Sequence, residues 1–341
     1  MLYTQKTVQK KTLKIIKGVL NMAKKEITIT TEELARINEA IEKNNAGRTP
    51  LDHRIDCVFY VIVKNANPNG DPLADNEPRT DDFGGFITNV CTKNWIRRFL
   101  EAFGHKMFIS KERIDKGNYS CLETELKDNE LIKPLIYKCK SKDKDGLYDV
   151  NLFKRYMCSE FFDVRAFGSI FPYFNENVSI TGPVTVCRAT SIDPVYPVAT
   201  QITKIVAGVE SEKAGTDTLG SQKVVPFGVY KFFLSIGGIE LEKTGFSRED
   251  AEALKNAIVK MFEVNKSNAK PYGSMIVSDL FWFEHDSLFP NINSATVFES
   301  VDMKRKDGVD TPGCYEDYLL TVSDIGVKPE HYNFRTGWVE E

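Results

Sequence analysis

The chain lacks a long hydrophobic run of the kind that a membrane helix or a secretion signal requires. No apolar segment approaches the roughly 18 residues needed to span a bilayer. The stretch at residues 13–20 is interrupted by Lys14, Lys17 and Gly18. Neither a membrane helix nor a secretion signal is predicted. We therefore expect a cytoplasmic protein that does not bind membranes.

Cysteine pairs with the spacing of metal or redox motifs are also lacking. The seven cysteines are scattered along the chain, and no two of them form a C-x-x-C pair. The odd total and the irregular spacing argue against both a disulfide framework and a zinc knuckle. We expect reduced thiols, most of them buried.

Signatures of catalysis are missing too. The sequence contains no G-x-G-x-x-G, Walker, G-x-S-x-G or kinase motif, and its four histidines show no metal-ligand spacing. Four aspartates crowd one loop and could chelate Mg²⁺, although aspartate in such loops usually caps turns; they are Asp71, Asp75, Asp81 and Asp82. RNA cleavage needs a general base and acid or a metal site. No catalytic residue, metal ligand or cofactor is predicted.

A basic excess, common in RNA-binding domains, is absent as well, since the net charge is −3. The charge is nevertheless unevenly distributed. Residues 1–25 hold seven lysines and no acid, while residues 91–113 carry six Lys or Arg against two acids and residues 133–144 five Lys against one. Basic patches therefore lie on an acidic body. From charge alone, such patches are more typical of ordinary solvated faces than of RNA-binding sites.

The most informative segment that is present runs from residue 55 to residue 103. A β-branched and aromatic run at 55–64 predicts a buried strand, which leads into the polar sequence N-A-N-P-N-G-D-P at 65–72. Asparagine amides and backbone N–H groups there can bind phosphates or 2′-hydroxyls. A helix is predicted at 87–103, with an apolar face of Val90, Ile96, Leu100 and Phe103 and a basic side of Lys93, Arg97 and Arg98. The loop and the basic side form a candidate RNA-binding surface.

Further motifs follow this segment in a fixed order. They are F-D-V-R-A-F-G at 162–168, I-T-G-P-V at 180–184, S-I-D-P-V at 191–195, V-P-F-G-V-Y at 225–230 and T-G-F-S at 244–247. Together with the polar loop, they resemble the backbone subunit of type I CRISPR effector (Cascade) complexes, a family of the repeat-associated (RAMP) superfamily. The resemblance covers about residues 54–325 and is greatest to the type I-C branch.

The pattern and the resemblance predict an α+β fold with a ferredoxin-like, RRM-like β-α-β-β-α-β core. Its strands are expected at 55–64, 183–190, 227–237 and 274–284, and its helices at 87–103 and 248–264. Residues 1–50 are expected to form an appended basic and helical extension, and residues 326–341 a tail. Within the core of residues 51–325, the resemblance implies a helical finger at about 104–181 and a β-hairpin thumb at about 191–226. Strands at 294–303 and 315–323 are expected to extend the sheet or cover its edge.

The function that the resemblance implies is non-enzymatic and independent of RNA sequence. Copies of the chain would polymerise along a guide RNA and leave its bases free to pair with target DNA. The implied partners are the CRISPR guide RNA, target DNA through that RNA, neighbouring copies, a guide 5′-end cap subunit, a large subunit and a recruited helicase-nuclease. The predicted RNA contacts are Asn67, Asn69, Arg79, Lys93, Arg97, Arg165, Gly168, Thr203, Lys204 and Lys223.

Two positions depart from the family pattern. Thr203-Lys204 replaces a threonine-arginine pair, and Gly220-Ser221-Gln222-Lys223 replaces a glycine-arginine-lysine. Lysine keeps the charge but lacks the bidentate grip of arginine on phosphate. Two alternatives stay open: a ribonuclease of the same superfamily that uses aspartates of the first loop or the thumb, and a free-standing RRM-like RNA binder, although the first strand lacks an RNP1 pattern.

Overall fold

The computed structural model describes residues 29–139, 144–204 and 218–339. Its first part contains α1 (Thr31–Asn45), β1 (Ile55–Ala66), β2 (Gly70–Asp71), β3 (Glu77–Pro78), β4 (Thr80–Asp81), β5 (Gly84–Ile87) and α2 (Asn89–Ala102). The next contains α3 (Lys111–Lys116), α4 (Leu122–Asp128), β6 (Ile136–Tyr137), β7 (Gly146–Leu147), α5 (Val150–Glu160), α6 (Phe162–Phe167), β8 (Gly168–Phe171) and β9 (Val178–Thr181). The last contains β10 (Val184–Val186), β11 (Ala189–Ser191), β12 (Val198–Lys204), β13 (Thr218–Ile236), α7 (Glu240–Thr244), α8 (Arg248–Val264), β14 (Met275–Glu284), α9 (Ser294–Ser300), β15 (Val301–Arg305), β16 (Tyr318–Val322), β17 (Glu330–Asn333) and β18 (Gly337–Trp338). The protein is α+β, as predicted.

The predicted first strand lies at the centre of the main sheet. β1 pairs antiparallel with β13 on one side and with β14 on the other. β10 and β11 both pair antiparallel with β13, so the predicted second strand at 183–190 is two short strands. The order through the centre is therefore β14-β1-β13 followed by β10 and β11. Strands β17 and β18 extend the sheet beyond β14, while β5 and β4 extend it beyond β11.

Both faces of this sheet are covered. α2 and α8 pack on one face, over a core in which Phe59 stacks on Phe232 with ring centroids 4.5 Å apart. The other face carries Tyr60, Phe281 and Phe283, which are buried together with residues of α9, β15 and β16. Most of β1 is buried on both sides, which explains why its sequence is a continuous apolar run rather than an alternating one.

The C-terminal region differs from the sequence prediction. Residues 294–300 form the helix α9 rather than a strand, because the Asn293 side chain caps it by accepting a hydrogen bond from Thr296 N at 2.9 Å. β15 and β16 pair only with each other in the described chain, and they cover a sheet face rather than an edge. The strands that extend the sheet, β17 and β18, come instead from the predicted tail.

The inserted segment between α2 and β10 has a hydrophobic core of its own. Phe153 contacts both Phe171 and Phe174 there, edge to face. α1, which begins with a capping box between Thr30 and Glu33, buries Ile37 and Ile41 in the same core. This helix is therefore integrated into the folded body, in contrast to the predicted appendage. The lysine-rich residues 1–28 lie outside the described part.

No helix within the described ranges combines the length and the hydropathy that crossing a bilayer requires.

Candidate nucleic-acid interface

The predicted loop, here called the polar loop (residues 65–88), is held by its own asparagines. Asn67 is buried; its backbone N–H donates to Ala269 O at 2.8 Å and its Nδ2 to Asn76 O at 2.6 Å. Asn69 Oδ1 accepts from Thr88 N at 2.9 Å, which ties the loop to the start of α2. Both side chains were predicted to contact RNA. The structure shows that they shape the loop, and Asn67 Oδ1 alone of their amide oxygens is buried without a partner.

The aspartates of the polar loop act as counterions to basic residues. Arg79 Nη1 lies 3.0 Å from Asp71 Oδ2, and Arg188 Nη2 lies 2.5 Å from Asp81 Oδ2. Within the described ranges, His, Cys, Asp and Glu form no group of three that could hold a metal ion. Asp71 and Asp81 are thus engaged in ion pairs. Arg79 remains half-exposed, and Asp71 partly neutralises its charge.

α2 is the basic helix of the prediction, capped by the Thr88 hydroxyl, which accepts from Cys91 N at 3.2 Å. Lys93 Nζ and the Arg97 guanidinium lie 5.1 and 5.2 Å from the centroid of the Phe167 ring. Arg97 Nε also donates to the buried Asp163 at 3.0 Å. Burial lowers the pKa of Lys93, and the nearby Arg97 lowers it further. Lys93 thus reaches the surface of α2 as a cation with no carboxylate partner in the described chain.

The apolar face of α2 differs from the predicted one at its two ends. Ile96 and Leu100 are buried as expected, together with Trp95 and Phe99. Val90 and Phe103, however, are 70% and 67% exposed. The helix is rotated so that Trp95 packs edge to face on Phe262 of α8, with centroids 5.1 Å apart. Burial of the Trp95 side chain therefore determines which face of α2 is buried. Val90 and Phe103, at the two ends of the helix, lie outside that face.

Arg165 is the clearest departure from the predicted site. It is only 3% exposed, and its Nε and Nη2 donate to the two oxygens of Asp250 at 2.8 and 2.7 Å, while its Nη1 donates to Cys158 O at 2.6 Å. Burial alone would raise the pKa of Asp250, but the paired guanidinium outweighs it and lowers that pKa. In this structure Arg165 joins α6 to α8 in the interior, so we no longer count it among the RNA contacts.

Gly168, in the same motif, is required by close packing of the backbone. Its φ is +73°, and a Cβ added there would lie 2.2 Å from Ile180 O. Gly182 on the opposite segment is equally constrained, since its Cβ would lie 2.3 Å from Ala166 O. The motif glycines therefore allow two segments to cross, and this accounts for Gly168 without an RNA contact.

The predicted thumb begins as a hairpin. β12 pairs antiparallel with β13 from Val198 opposite Val224 to Lys204 opposite Thr218. The predicted contacts Thr203 and Lys204 lie on β12, and residues 205–217 are outside the described part. Lys223, at the base of the hairpin, points back to the polar loop: its Nζ lies 3.2 Å from Glu77 Oε2 and 3.6 Å from Asp75 Oδ2.

Sequence reasoning missed a segment next to this surface, the turn between α8 and β14 (residues 265–274), here called the α8–β14 turn. Its Lys270 Nζ lies 3.5 Å from Pro68 O of the polar loop and 5.4 Å from the centroid of the Trp95 ring. The sequence of this turn gave only a weak local signal for nucleic-acid binding, namely two lysines among Asn, Pro and Gly residues. The fold places Lys270 of this turn beside the polar loop, about 200 residues earlier in the chain, and no local sequence pattern indicates that the two lie close together.

With this geometry in hand, comparison with known proteins identifies the family. The family model described as CRISPR-associated protein Cas7 matches residues 53–323. The chain belongs to the Cas7 family. The match includes the polar loop, α2 and the α8–β14 turn, whereas α1, β17 and β18 lie outside it.

Individual Cas7 relatives are distant. The CRISPR-associated protein Cas7 of Haloferax volcanii is 25% identical over 222 residues, which are 59% of this chain and 62% of that protein. The alignment thus spans less than two thirds of the relative. Two solved chains come from structures described as a "CRISPR RNA-guided surveillance complex, pre-nicking" (12% identity, TM-score 0.45, 76% of this chain and 84% of that one) and a "CRISPR RNA-guided surveillance complex" (14%, 0.41, 75% and 78%).

Proposed function

We propose that this Cas7-family protein is the guide-RNA-binding backbone subunit of a type I CRISPR effector complex, of the I-C kind, and that it works in the cytoplasm. Copies would line up along the guide and bind its sugar-phosphate backbone, so that base pairing rather than protein reads the target. The observation that carries the proposal is the surface formed by the polar loop and α2. Asn69 ties this loop to the start of α2, and α2 carries Lys93, a cation that lacks a carboxylate partner in the described chain.

The architecture proposed with this function is a ferredoxin-like palm, a finger at about 104–181 and a thumb at about 191–226. The strand order β14-β1-β13-β10, with every neighbouring pair antiparallel, supports the palm. The separate core of the inserted segment supports the finger, and the β12–β13 hairpin supports the thumb. Proposed partners are the guide RNA, target DNA through it, neighbouring copies, the 5′-end cap and large subunits, and the helicase-nuclease.

A free-standing RRM-like binder is less well supported. RRM domains stack bases on aromatic side chains of an open sheet face. Here the face that carries Tyr60, Phe281 and Phe283 is covered by α9, β15 and β16. Lys231 Nζ fastens this cover by donating to Phe298 O and Val301 O at 3.0 and 2.6 Å. RNA cannot reach that face without displacing a packed layer.

The test of RNA binding uses Lys93→Met, which keeps an unbranched side chain at this position and removes the charge that lies over Phe167. Binding of labelled guide RNA should weaken similarly for unrelated spacers, and the log-log salt dependence should become shallower by about 0.7, the value for one phosphate contact on a single strand. Fluorescence anisotropy over a salt series measures both. Lys243→Met, on an exposed lysine of the short α7, is the matched control and should behave as the parent. A loss confined to certain spacer sequences would contradict backbone recognition.

We also propose that the subunit is not a nuclease. Purified protein with Mg²⁺ should leave guide and complementary RNA intact, because Arg79, Arg188 and Lys223 engage four carboxylates of the polar loop, those of Asp71, Asp75, Glu77 and Asp81. Gel analysis of end-labelled RNA provides the measurement. Specific cleavage that disappears in Asp71→Ala or Asp217→Ala would favour the ribonuclease instead; Asp217 lies outside the described residues.

A further inference from the structure

The α8–β14 turn is fixed to three elements of the proposed RNA surface. Asn265 Nδ2 donates to Trp95 O of α2 at 2.9 Å. Ala269 O accepts from Asn67 N of the polar loop at 2.8 Å, and Asn268 O accepts from Gln222 Nε2 of β13 at 3.2 Å. The turn is therefore a joint at which the loop, the basic helix and the base of the thumb hairpin meet.

Lys270 is the charged residue at this joint. Reciprocal backbone hydrogen bonds between Ser267 and Lys270, at 2.9 and 3.0 Å, tighten the turn and direct the chain back toward α2. The ammonium group lies near the Trp95 ring and 3.5 Å from Pro68 O. No carboxylate of the described residues pairs with it. Burial is the main cause that lowers the pKa of Lys270, and the positive charge of Arg98 adds to this effect.

In lacking a counterion, Lys270 differs from three other basic residues of the surface. Arg79, Arg97 and Lys223 each have a carboxylate within 3.2 Å or less. A partly desolvated cation without such a partner is unfavourable, and an anion supplied from outside would stabilise it. Lys93 of α2 is likewise without a carboxylate partner in the described chain, and its ammonium group lies over Phe167 rather than Trp95. Phosphates of a polyanion bound at α2 would stabilise both cations.

We infer that Lys270 is a further contact to the sugar-phosphate backbone of the guide RNA, supplied by a turn that no sequence motif assigned to RNA binding. The inference rests on the proposed function. With Lys270, the α8–β14 turn becomes a third element of the proposed RNA surface, beside the polar loop and α2. A role in RNA binding would explain why the turn is hydrogen-bonded to both. A lysine that merely packed its methylene stem on an indole would need no charge at its end, and the experiment separates these two roles.

The test compares three variants of the full chain by fluorescence anisotropy with labelled single-stranded guide RNA over a salt series. Lys270→Met keeps an unbranched side chain beside Trp95 and removes the charge; it should weaken binding about three- to tenfold near physiological salt and reduce the log-log slope by about 0.7. Lys270→Arg retains the charge and should bind within about twofold of the parent. Lys243→Met should match the parent in both affinity and slope. Melting temperatures of all variants accompany the titrations.

Each outcome decides the inference. Weaker binding with a shallower slope in Lys270→Met, and recovery in Lys270→Arg, supports a phosphate contact. Binding and slope equal to those of Lys243→Met overturn the inference while the parent and Lys93→Met still report on the proposed function. Weaker binding with an unchanged slope and a lower melting temperature assigns Lys270 a packing role and also overturns it. A parent protein that does not bind RNA overturns the proposed function and the inference together.

Discussion

Two arginines that the sequence assigned to RNA are engaged by buried carboxylates. The segment Asp163-Val164-Arg165-Ala166 supplies one partner to each of two ion pairs, since Asp163 accepts from Arg97 at 3.0 Å and Arg165 donates to Asp250 at 2.7 and 2.8 Å. Asp163 also accepts from Phe108 N at 2.7 Å. The motif therefore connects α6 to α2, to the inserted segment and to α8. The charged side chains of this motif form ion pairs that hold these elements together.

Removal of one partner from the Arg165–Asp250 pair should destabilise the protein strongly. Arg165→Met leaves a buried carboxylate without its counterion, which typically costs about 3–5 kcal/mol in the free energy of unfolding. Chemical denaturation measures it. The control is Arg248→Met, whose exposed pair with Asp52 at 2.6 Å should be worth about 0–1 kcal/mol. Equal, small losses in both variants would show that the interior pair contributes no more than a surface one.

The same pair predicts a pH dependence. The pKa of Asp250 is lowered in the folded protein because Arg165 outweighs burial. A depressed folded-state pKa contributes stability above the unfolded value, near 4, and that stability is lost as the pH falls through the folded value. Without Arg165, burial is opposed only by the Ser247 N–H and by Arg48, so the pKa of Asp250 rises in Arg165→Met. The stability deficit of the variant relative to the parent should therefore be largest above about pH 4 and should shrink as the pH falls and Asp250 becomes protonated in both proteins. Parallel pH profiles between about pH 3 and pH 6 would contradict the assignment.

At the scale of elements, the base of the thumb is tied to the polar loop by charge. Lys223 of β13 reaches Glu77 and Asp75, whose side chains are 46% and 79% exposed. These acids neutralise, in the protein without RNA, a lysine that the sequence predicts to contact it. Phosphates of a bound guide would have to compete with them. The loop thereby holds the hairpin base in place, and it would weaken the proposed attraction of Lys223 for RNA at the same time.

Neutralising these acids should strengthen RNA binding. The double variant Asp75→Asn, Glu77→Gln removes the competitors of phosphate at Lys223, and affinity should rise up to about fivefold, which corresponds to the roughly 1 kcal/mol that an exposed pair can contribute. Anisotropy titration at low salt gives the largest difference. Asp302→Asn, in an exposed pair with Lys304 at 2.8 Å, is the control and should not change affinity. Weaker binding by the double variant would mean that the acids organise the loop.

Local signals decided which elements could be predicted. α8 has the predicted bounds because its capping box, Ser247 with Asp250, marks the start unambiguously. Residues 294–300 were misassigned as strand because a short apolar segment suits either structure, and the cap at Asn293 decides for a helix, whereas residues 301–303 do lie in a strand. The polar loop and α2 occur where the sequence predicted them, but the interior ion pair of Arg165 was not predicted and Lys270 was not singled out. Their partners, Asp250 and Trp95, are distant in sequence, so only the fold reveals whether a charge is buried or available.

At the scale of the whole molecule, the thumb hairpin is an extension of the sheet rather than part of its core. β13 enters the centre of the main sheet at Val225, which pairs with Ala66, and from there it is anchored along β1 to Ile236. The β12–β13 pairing lies entirely before that point, from Thr218 to Val224 on β13. The centre of the main sheet therefore does not depend on the hairpin for its strand pairing.

Replacement of residues 200–218 by a short Gly-Ser link should therefore leave the protomer folded and prevent assembly. If each thumb contacts both the guide and the next copy, its loss lowers the affinity of every successive addition, and the deficit multiplies along the filament. Size-exclusion chromatography with guide RNA should show monomers and short oligomers, while circular dichroism stays near that of the parent. Gly-Ser replacement of residues 307–311, in the exposed loop between β15 and β16, is the control and should assemble normally. Full-length filaments from the thumb variant would show that the hairpin is only a surface loop and that the contacts between copies lie elsewhere.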